Sequence, residues 1–379
     1  AAAGAAGGEA LYVDDVFSTF LYEGNGTNPH TITNGIDLAG EGGLVWTKAR
    51  DSASIDNVLV DTVRATGWLV SNGTQAAAGT STAYLSFNEN GYDIDNTFNN
   101  WNGSTIGDYV SWTFRKAPKF FDVLTYTGNS TAGRTISHNL GCEPGMVIVK
   151  KTSGSGNWIV QHTGITPLAS LYLNENYASF TSDNTNYWNN TAATSSSFTL
   201  GTSGQVNGSG VEYVAYVFAH NDGDGEFGED GDQDIIKCGS YGPNGSWPNY
   251  PEIDLGFEPQ LVMIKRTDGT GNWAIVDNMR GIADLGATYP YTDNKVLRPD
   301  TSSAEFDANV IKLTPTGFIV RGSNADYNGP SPNEYIYVAI RRPMKTPESG
   351  TEVFAADLGG STAPDPWFNS GFPVDMNIV

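Results

Sequence analysis

The chain has 379 residues and a formal net charge of −22, from 42 acidic and 20 basic side chains. A charge of that sign repels phosphate backbones and anionic lipid headgroups, so the sequence argues against nucleic acid as a partner and against membrane insertion. Charged residues make up only 16% and aromatics 12%, with 45 glycines, a turn-rich and aromatic composition that points to an all-β fold of tandem antiparallel β-sandwich domains, jelly-roll/lectin-like or Ig-like, and not to disorder.

Residues 1–10, AAAGAAGGEA, form an Ala/Gly-rich segment without the basic start and leucine-rich core of a secretory leader. No apolar run approaches the roughly 18 residues of a membrane helix. Residues 11–116 read as a first β-sandwich repeat that closes on the alternating strand Tyr109 to Phe114. Residues 58–64, VLVDTVR, fit a short helix or a strand equally well. Residues 119–221 form a second repeat, centred on GCEPGMVIVKKTSGSGNWIV at 141–160. That phrase reads as a strand ending in Lys150, a Gly/Ser turn and a strand opening on Trp158.

The same phrase returns at 256–276 as GFEPQLVMIKRTDGTGNWAIV, with Lys265 for Lys150 and Trp273 for Trp158. A looser copy at 42–60 ends its strand in Lys48. Residues 222–232 are an acidic, Gly-rich linker, and 233–343 form a third repeat. Residues 344–379 read as a linker and the start of a further unit, because GFPVDMNIV at 371–379 resembles the opening of the central hairpin. A period of about 110 residues suits a bead-like array of sandwiches better than a solenoid.

The acidic linker carries Asp222, Asp224, Glu226, Asp230 and Asp232, hard oxygen donors that suit Ca²⁺, although the EF-hand spacing is not met and a solvated linker explains the same residues. No other cofactor is indicated. His30, His138, His162 and His220 lack metal-pair spacing, and no nucleophile elbow is present. Asp14-Asp15 and Glu252/Asp254 qualify as a glycosidase pair by residue type alone. The chain therefore reads as a non-enzyme with no catalytic residues. Cys142 and Cys238 lie in different repeats and read as unpaired thiols. Trp46, Trp158 and Trp273 recur at the hairpin and read as core. Tryptophans outside the shared phrase are better candidates for stacking on sugar rings, namely Trp188 with Tyr187 and Trp247 with Tyr250.

Several phrases, AAGGEALYVDDVFSTFLYEGNG, GIDLAGEGGLVWTKARD, VSWTFRKAPKFFDVLTYTGN and VEYVAYVFAHNDGDGEFGEDGDQDIIKCGSY among them, resemble a family of fibre-like proteins of marine tailed phages, cyanophages included. The resemblance spans nearly the whole chain and carries no residue-level assignment. It implies a virion surface protein, a tail or capsid fibre, made in the host cytoplasm without a signal peptide and released by lysis. The partners it implies are other virion proteins, further copies of the chain in a homotrimer or higher oligomer, and a host-surface glycan or protein. A glycan-degrading tailspike and a purely structural block of a virion shell or extracellular filament are the competing expectations.

Overall fold

The computed structural model describes residues 10–64, 67–79, 84–181, 184–242, 250–282, 294–329 and 333–343. The first repeat contains α1 (Val13–Val16), β1 (Phe17–Glu23), β2 (His30–Thr33), β3 (Gly43–Ala49), β4 (Val58–Asp61), β5 (Leu69–Val70), β6 (Leu85–Asn88), β7 (Gly91–Ile94) and β8 (Asp108–Arg115). The second contains β9 (Phe121–Thr127), β10 (Arg134–Ser137), β11 (Pro144–Lys151), β12 (Trp158–His162), β13 (Leu171–Tyr172), α2 (Asn184–Tyr187), β14 (Ser197–Leu200) and β15 (Glu212–Ala219). The third contains β16 (Ile236–Tyr241), β17 (Glu252–Asp254), β18 (Pro259–Arg266), β19 (Ala274–Asp277), β20 (Asn294–Val296), β21 (Phe306–Ala308), β22 (Ile311–Thr314), β23 (Gly317–Val320) and β24 (Tyr335–Arg341). The fold is all-β, antiparallel and built of sandwiches, as the composition indicates. Among the described residues no helix is long and apolar enough to cross a membrane. The expected restart at 371–379 lies outside the described residues.

Each repeat has a main sheet with the same strand order. It reads β1-β8-β3-β4-β5 in the first repeat, β9-β15-β11-β12-β13 in the second and β16-β24-β18-β19 in the third. The opening and closing strands of a repeat are therefore neighbours, and the closing strand also pairs with the hairpin strand. The ambiguous segment 58–64 resolves into strand β4 followed by a turn, since Val58 and Leu59 pair with Val70 and Leu69. A second sheet covers one face of the first, β2-β7-β6 in repeat 1, β10-β14 in repeat 2 and β17-β23-β22 in repeat 3.

Alternation along the strands assigns two faces, and both are buried. From β3, Val45 and Ala49 enter the sandwich core of repeat 1, while Leu44 and Trp46 point the other way. From β18, Val262 and Ile264 enter the core of repeat 3, while Leu261 and Met263 point the other way. These second faces meet in one cluster, which joins Trp112 and Phe114 of repeat 1 to Met146, Tyr216 and Phe218 of repeat 2 and to Ile275, Val338 and Ile340 of repeat 3. The three repeats thus belong to one compact unit. The bead-like array expected from the period gives way to three sandwiches sharing a common centre. Burial on both faces explains the continuous apolar runs of β3, β11 and β18, a pattern more familiar from parallel sheets.

A tyrosine pair recurs in every sandwich. Tyr22 stacks on Tyr109, Tyr126 on Tyr213 and Tyr241 on Tyr335, with ring centroids 5.3, 5.2 and 5.0 Å apart. The first hydroxyl of each pair donates to a turn carbonyl, that of Trp101, Val206 or Tyr327. The second accepts the amide of Gly103, Gly208 or Gly329. Each pair pins the loop before the closing strand to the opening strand.

A shared centre makes the repeats interdependent. Phe114→Ala empties the junction where Phe114 meets Phe121 and Phe218 at 5.5 Å, and it is expected to cost about 3–5 kcal/mol in a single urea transition. A truncated chain ending after the first repeat is expected to show no cooperative transition by calorimetry, since it exposes Trp46, Trp112 and Phe114 together.

Candidate functional site

The shared hairpin lysine has one role in all three repeats. Lys48, Lys150 and Lys265 are fully buried on the centre-facing side. Lys150 Nζ donates to Gly156 O of its own turn at 2.7 Å and to Thr74 O of repeat 1 at 3.0 Å. Lys265 Nζ donates to Gly271 O at 2.8 Å and to Tyr177 O of repeat 2 at 2.9 Å. Lys48 Nζ donates to Ile55 O at 2.7 Å and to Ser302 O of repeat 3 at 3.3 Å. Repeat 2 grips repeat 1, repeat 3 grips repeat 2, and repeat 1 grips repeat 3, so the set closes into a ring. Burial lowers all three ammonium groups to about 8.

Two further positions follow the same circuit. Trp158 Nε1 donates to Val70 O at 2.9 Å, and Trp273 Nε1 donates to Tyr172 O at 2.9 Å. The strand register puts Asn57 at this position in repeat 1, where its Nδ2 donates to Thr301 O at 2.8 Å. Trp46 is core as expected, but it lies in β3 and is not the counterpart of Trp158. At the end of the hairpin stand Asp61, His162 and Asp277, opposite Leu44, Met146 and Leu261. Asp61 Oδ2 accepts from Tyr216 of repeat 2 at 2.7 Å, and Asp277 Oδ2 accepts from Trp112 of repeat 1 at 3.1 Å. His162 Nδ1 accepts the Gly164 amide at 2.9 Å, so Nε2 carries the proton and donates to Tyr337 O of repeat 3 at 3.1 Å. Burial pushes His162 down to about 3, so the ring is neutral. The three lysines and His162 are thus all engaged in joining repeats.

The residues predicted to bind sugar or metal lie elsewhere. Trp188 is fully buried, with Nε1 donating to Ser170 Oγ at 3.0 Å and its ring edge-on to Phe198. Tyr187 is buried against Phe180. Neither ring has a face open to stack on a sugar, so the pair is core. Trp247 lies outside the described residues. Tyr250 is half-buried, with the Arg321 guanidinium 5.8 Å from its ring centre.

In the acidic linker, Asp224 accepts from Lys119 Nζ at 2.9 Å, and Asp234 accepts the amides of Gly223 and Gly225 at 2.9 and 3.0 Å. Phe227 is buried in the common cluster and the Gly228 amide donates to Leu11 O at 2.8 Å. The segment is thus a folded connection between repeats. Among the described residues no three His, Cys, Asp or Glu side chains come together in a metal-holding group, and Asp222, Glu226, Asp230 and Asp232 are not gathered around one point. Cys142 and Cys238 are buried and unpaired, and burial raises both thiols.

Sequence reasoning missed an aromatic group in repeat 1. Phe98 is 52% exposed. Its ring lies 5.9 Å from Tyr84 and 6.1 Å from the buried Trp101. Trp68 is half-buried and meets Trp101 edge-on at 5.8 Å. Asn96 organises the loop, its Oδ1 accepting from the Phe98 amide at 3.0 Å and from Trp101 Nε1. Gly79, at φ +70°, lies under the Tyr84 ring, where a Cβ would approach it to 2.2 Å. The position of Trp101 is filled by Val206 in repeat 2 and Tyr327 in repeat 3, as the tyrosine hydrogen bonds show. Three partly exposed rings over a buried tryptophan, edged by asparagines, form an amphipathic surface of the kind that stacks on saccharide faces. The available signal was that Trp68 and Trp101 stand outside the shared phrase.

A family model described as a domain of unknown function, DUF7483, matches residues 13–343. No curated protein and no solved structure matches the chain. The matched span opens at α1 and closes two residues after β24, so it coincides with the whole ring.

The lysine pKa values give a signed expectation. A lysine lowered to about 8 when folded and near 10.5 when unfolded loses its proton in the folded state first. Stability therefore rises with pH across that window. Relative to Lys150→Met, the intact chain is expected to gain about 2 kcal/mol between pH 8 and pH 10, read from urea midpoints. A flat difference across that range contradicts the burial of this ammonium.

Proposed function

The chain belongs to the DUF7483 family, and we propose that it is a non-enzymatic virion surface protein, a tail or capsid fibre component that attaches to a host-surface glycan. The observation that carries this reading is the division of labour between repeats. Positions shared by the three repeats join the ring, and its buried lysines and His162 are held there by hydrogen bonds. The exposed aromatic group at Trp68, Tyr84 and Phe98 lies in repeat 1, outside those shared positions. A rigid closed scaffold with recognition on peripheral loops suits adhesion. The net charge of −22 keeps such a surface soluble and favours neutral or cationic ligands over polyanions. The virion setting rests on the resemblance of the sequence to marine phage fibre-like proteins.

The test is binding of the full chain to an array of bacterial surface polysaccharides. Phe98→Ala and Tyr84→Ala are expected to weaken retention by about tenfold or more, since one stacked ring is worth about 1–3 kcal/mol by analogy with other aromatic platforms. Phe98→Ala should leave the melting temperature within a degree or two because its ring is half exposed. Trp188→Ala, by contrast, should destabilise the fold by about 3–5 kcal/mol. No retention of any polysaccharide, with the chain located in a virion shell by cryo-electron microscopy, would replace adhesion with the purely structural reading.

A further inference from the structure

Repeat 3 carries an acid at a place where its neighbours carry an amide. Leu69, Leu171 and Leu297 pair with Leu59, Val160 and Ile275 at matched positions of the three hairpins. Three residues further on stand Asn72, Asn174 and Asp300. The two asparagines act alike. Oδ1 of Asn72 accepts the Asn57 amide and Oδ1 of Asn174 accepts the Trp158 amide, both at 2.8 Å. Their Nδ2 groups donate to Asp56 Oδ1 and Asn157 Oδ1, at 2.7 and 3.0 Å. Each side chain thus fastens the start of the hairpin's second strand with one acceptor and one donor.

Asp300 is 8% exposed, and neither carboxylate oxygen has a hydrogen-bond partner. The amides of Trp273 and of Asp300 itself favour its charged form without completing a hydrogen bond. Two cations face it, Lys265 from β18 and Arg298 from its own loop. Lys265 Nζ is engaged by the carbonyls of Tyr177 and Gly271, and Arg298 by Asp326 at 2.7 Å. A buried charge without hydrogen bonds is costly, and burial pushes this carboxyl up to about 7. Protonated, it has the donor and the acceptor of an asparagine; ionised, it can only accept.

The loop around Asp300 is the part of repeat 3 that repeat 1 holds. Ser71 Oγ donates to Pro299 O at 2.6 Å, Asn57 Nδ2 to Thr301 O at 2.8 Å and Lys48 Nζ to Ser302 O at 3.3 Å. Residues 116–120 tie repeat 1 to repeat 2, and residues 220–235 tie repeat 2 to repeat 3. Repeat 3 meets repeat 1 with no such connecting segment. We propose that Asp300 is a proton-operated latch: protonated, it stands in for asparagine and keeps the ring closed, and ionised, it frees its loop from repeat 1 and opens the ring at the seam between repeats 3 and 1. The closed ring binds the proton more tightly than the open one, where water reaches the carboxyl. Closure is therefore strongest below the ordinary carboxylate range and weakens as pH rises from about 4 to about 7. The latch concerns the scaffold and does not depend on what the outer loops bind.

Two backbone amides cross each seam: Ser54 and Glu305 between repeats 3 and 1, Gly156 and Ala77 between 1 and 2, and Gly271 and Ser179 between 2 and 3. Hydrogen exchange of these amides is followed by NMR on the full chain at pH 5 and pH 7.5, corrected for the chemical exchange rate. Ser54 and Glu305 are expected to lose at least about tenfold in protection at the higher pH relative to the other seams. Asp300→Asn, which restores the residue of the other repeats, should remove that loss and raise the urea midpoint more at pH 7.5 than at pH 5. Unchanged protection of Ser54 and Glu305, an equal loss at all three seams, or a loss that persists in Asp300→Asn would each overturn the latch.

Discussion

Three ammonium groups buried among backbone carbonyls set the architecture. An unpaired charge inside a protein is costly unless its hydrogen-bonding capacity is met. Each lysine finds carbonyls on its own hairpin turn and on the next repeat. A single sandwich supplies only the first set. The remaining carbonyl comes from a loop of the neighbour, Thr74, Tyr177 or Ser302, so every repeat requires another and the circuit closes after three. Lysine suits this task better than arginine, because a compact ammonium can gather converging carbonyls where a planar fork cannot. Closure then buries the second face of each main sheet, which is why the common cluster forms.

The ring keeps its hydrogen bonds while changing the chemistry that makes them. Trp158 and Trp273 reach across with an indole N–H, and Asn57 does so with a carboxamide. Asp61 and Asp277 accept a turn amide and a donor from the next repeat, whereas His162 accepts the turn amide and donates to a carbonyl. The exchange follows from the facing residue. Tyr216 and Trp112 bring donors, but Val338 at the same strand position brings none, so the hairpin of repeat 2 itself donates, through a neutral imidazole that accepts at one ring nitrogen and donates from the other.

Much of this was legible in the sequence. The hairpin phrase, its lysine, the aromatic closing strands and the all-β class follow from spacing and composition. Ring closure was not, because the groups that accept from the lysines are backbone carbonyls, which leave no side-chain signature. The continuous burial of β3, β11 and β18 hid the second face in the same way, since an apolar run does not say how many neighbours it has. Trp188 misled because a tryptophan near polar turns reads as exposed, while here Ser170 satisfies its indole N–H from within the core. Phe98 and Tyr84 sit among Asn and Gly in a stretch with no repeat to frame it. The tyrosine pairs were open to reading, as each opening strand carries a tyrosine two residues before a glycine or directly before one, and each closing strand has a tyrosine, Tyr109, Tyr213 or Tyr335, at its first or second position.

Sharing one centre also constrains where the repeats can diverge. A change on the centre-facing side is felt by all three sandwiches, because Trp112, Tyr216 and Val338 pack in one cluster. A change on the outer loops is felt by one. Variation in such a fold is channelled outward, to places such as the turn before β14 or the loop carrying Phe98, and there a repeat can lose a strand or gain rings without loosening the ring. Gln161 shows the limit of that freedom. It lies on the main sheet opposite Val147, one residue before His162, yet its side chain faces the repeat's own sandwich and donates to Thr191 O, so a polar residue there leaves the junction with repeat 3 intact.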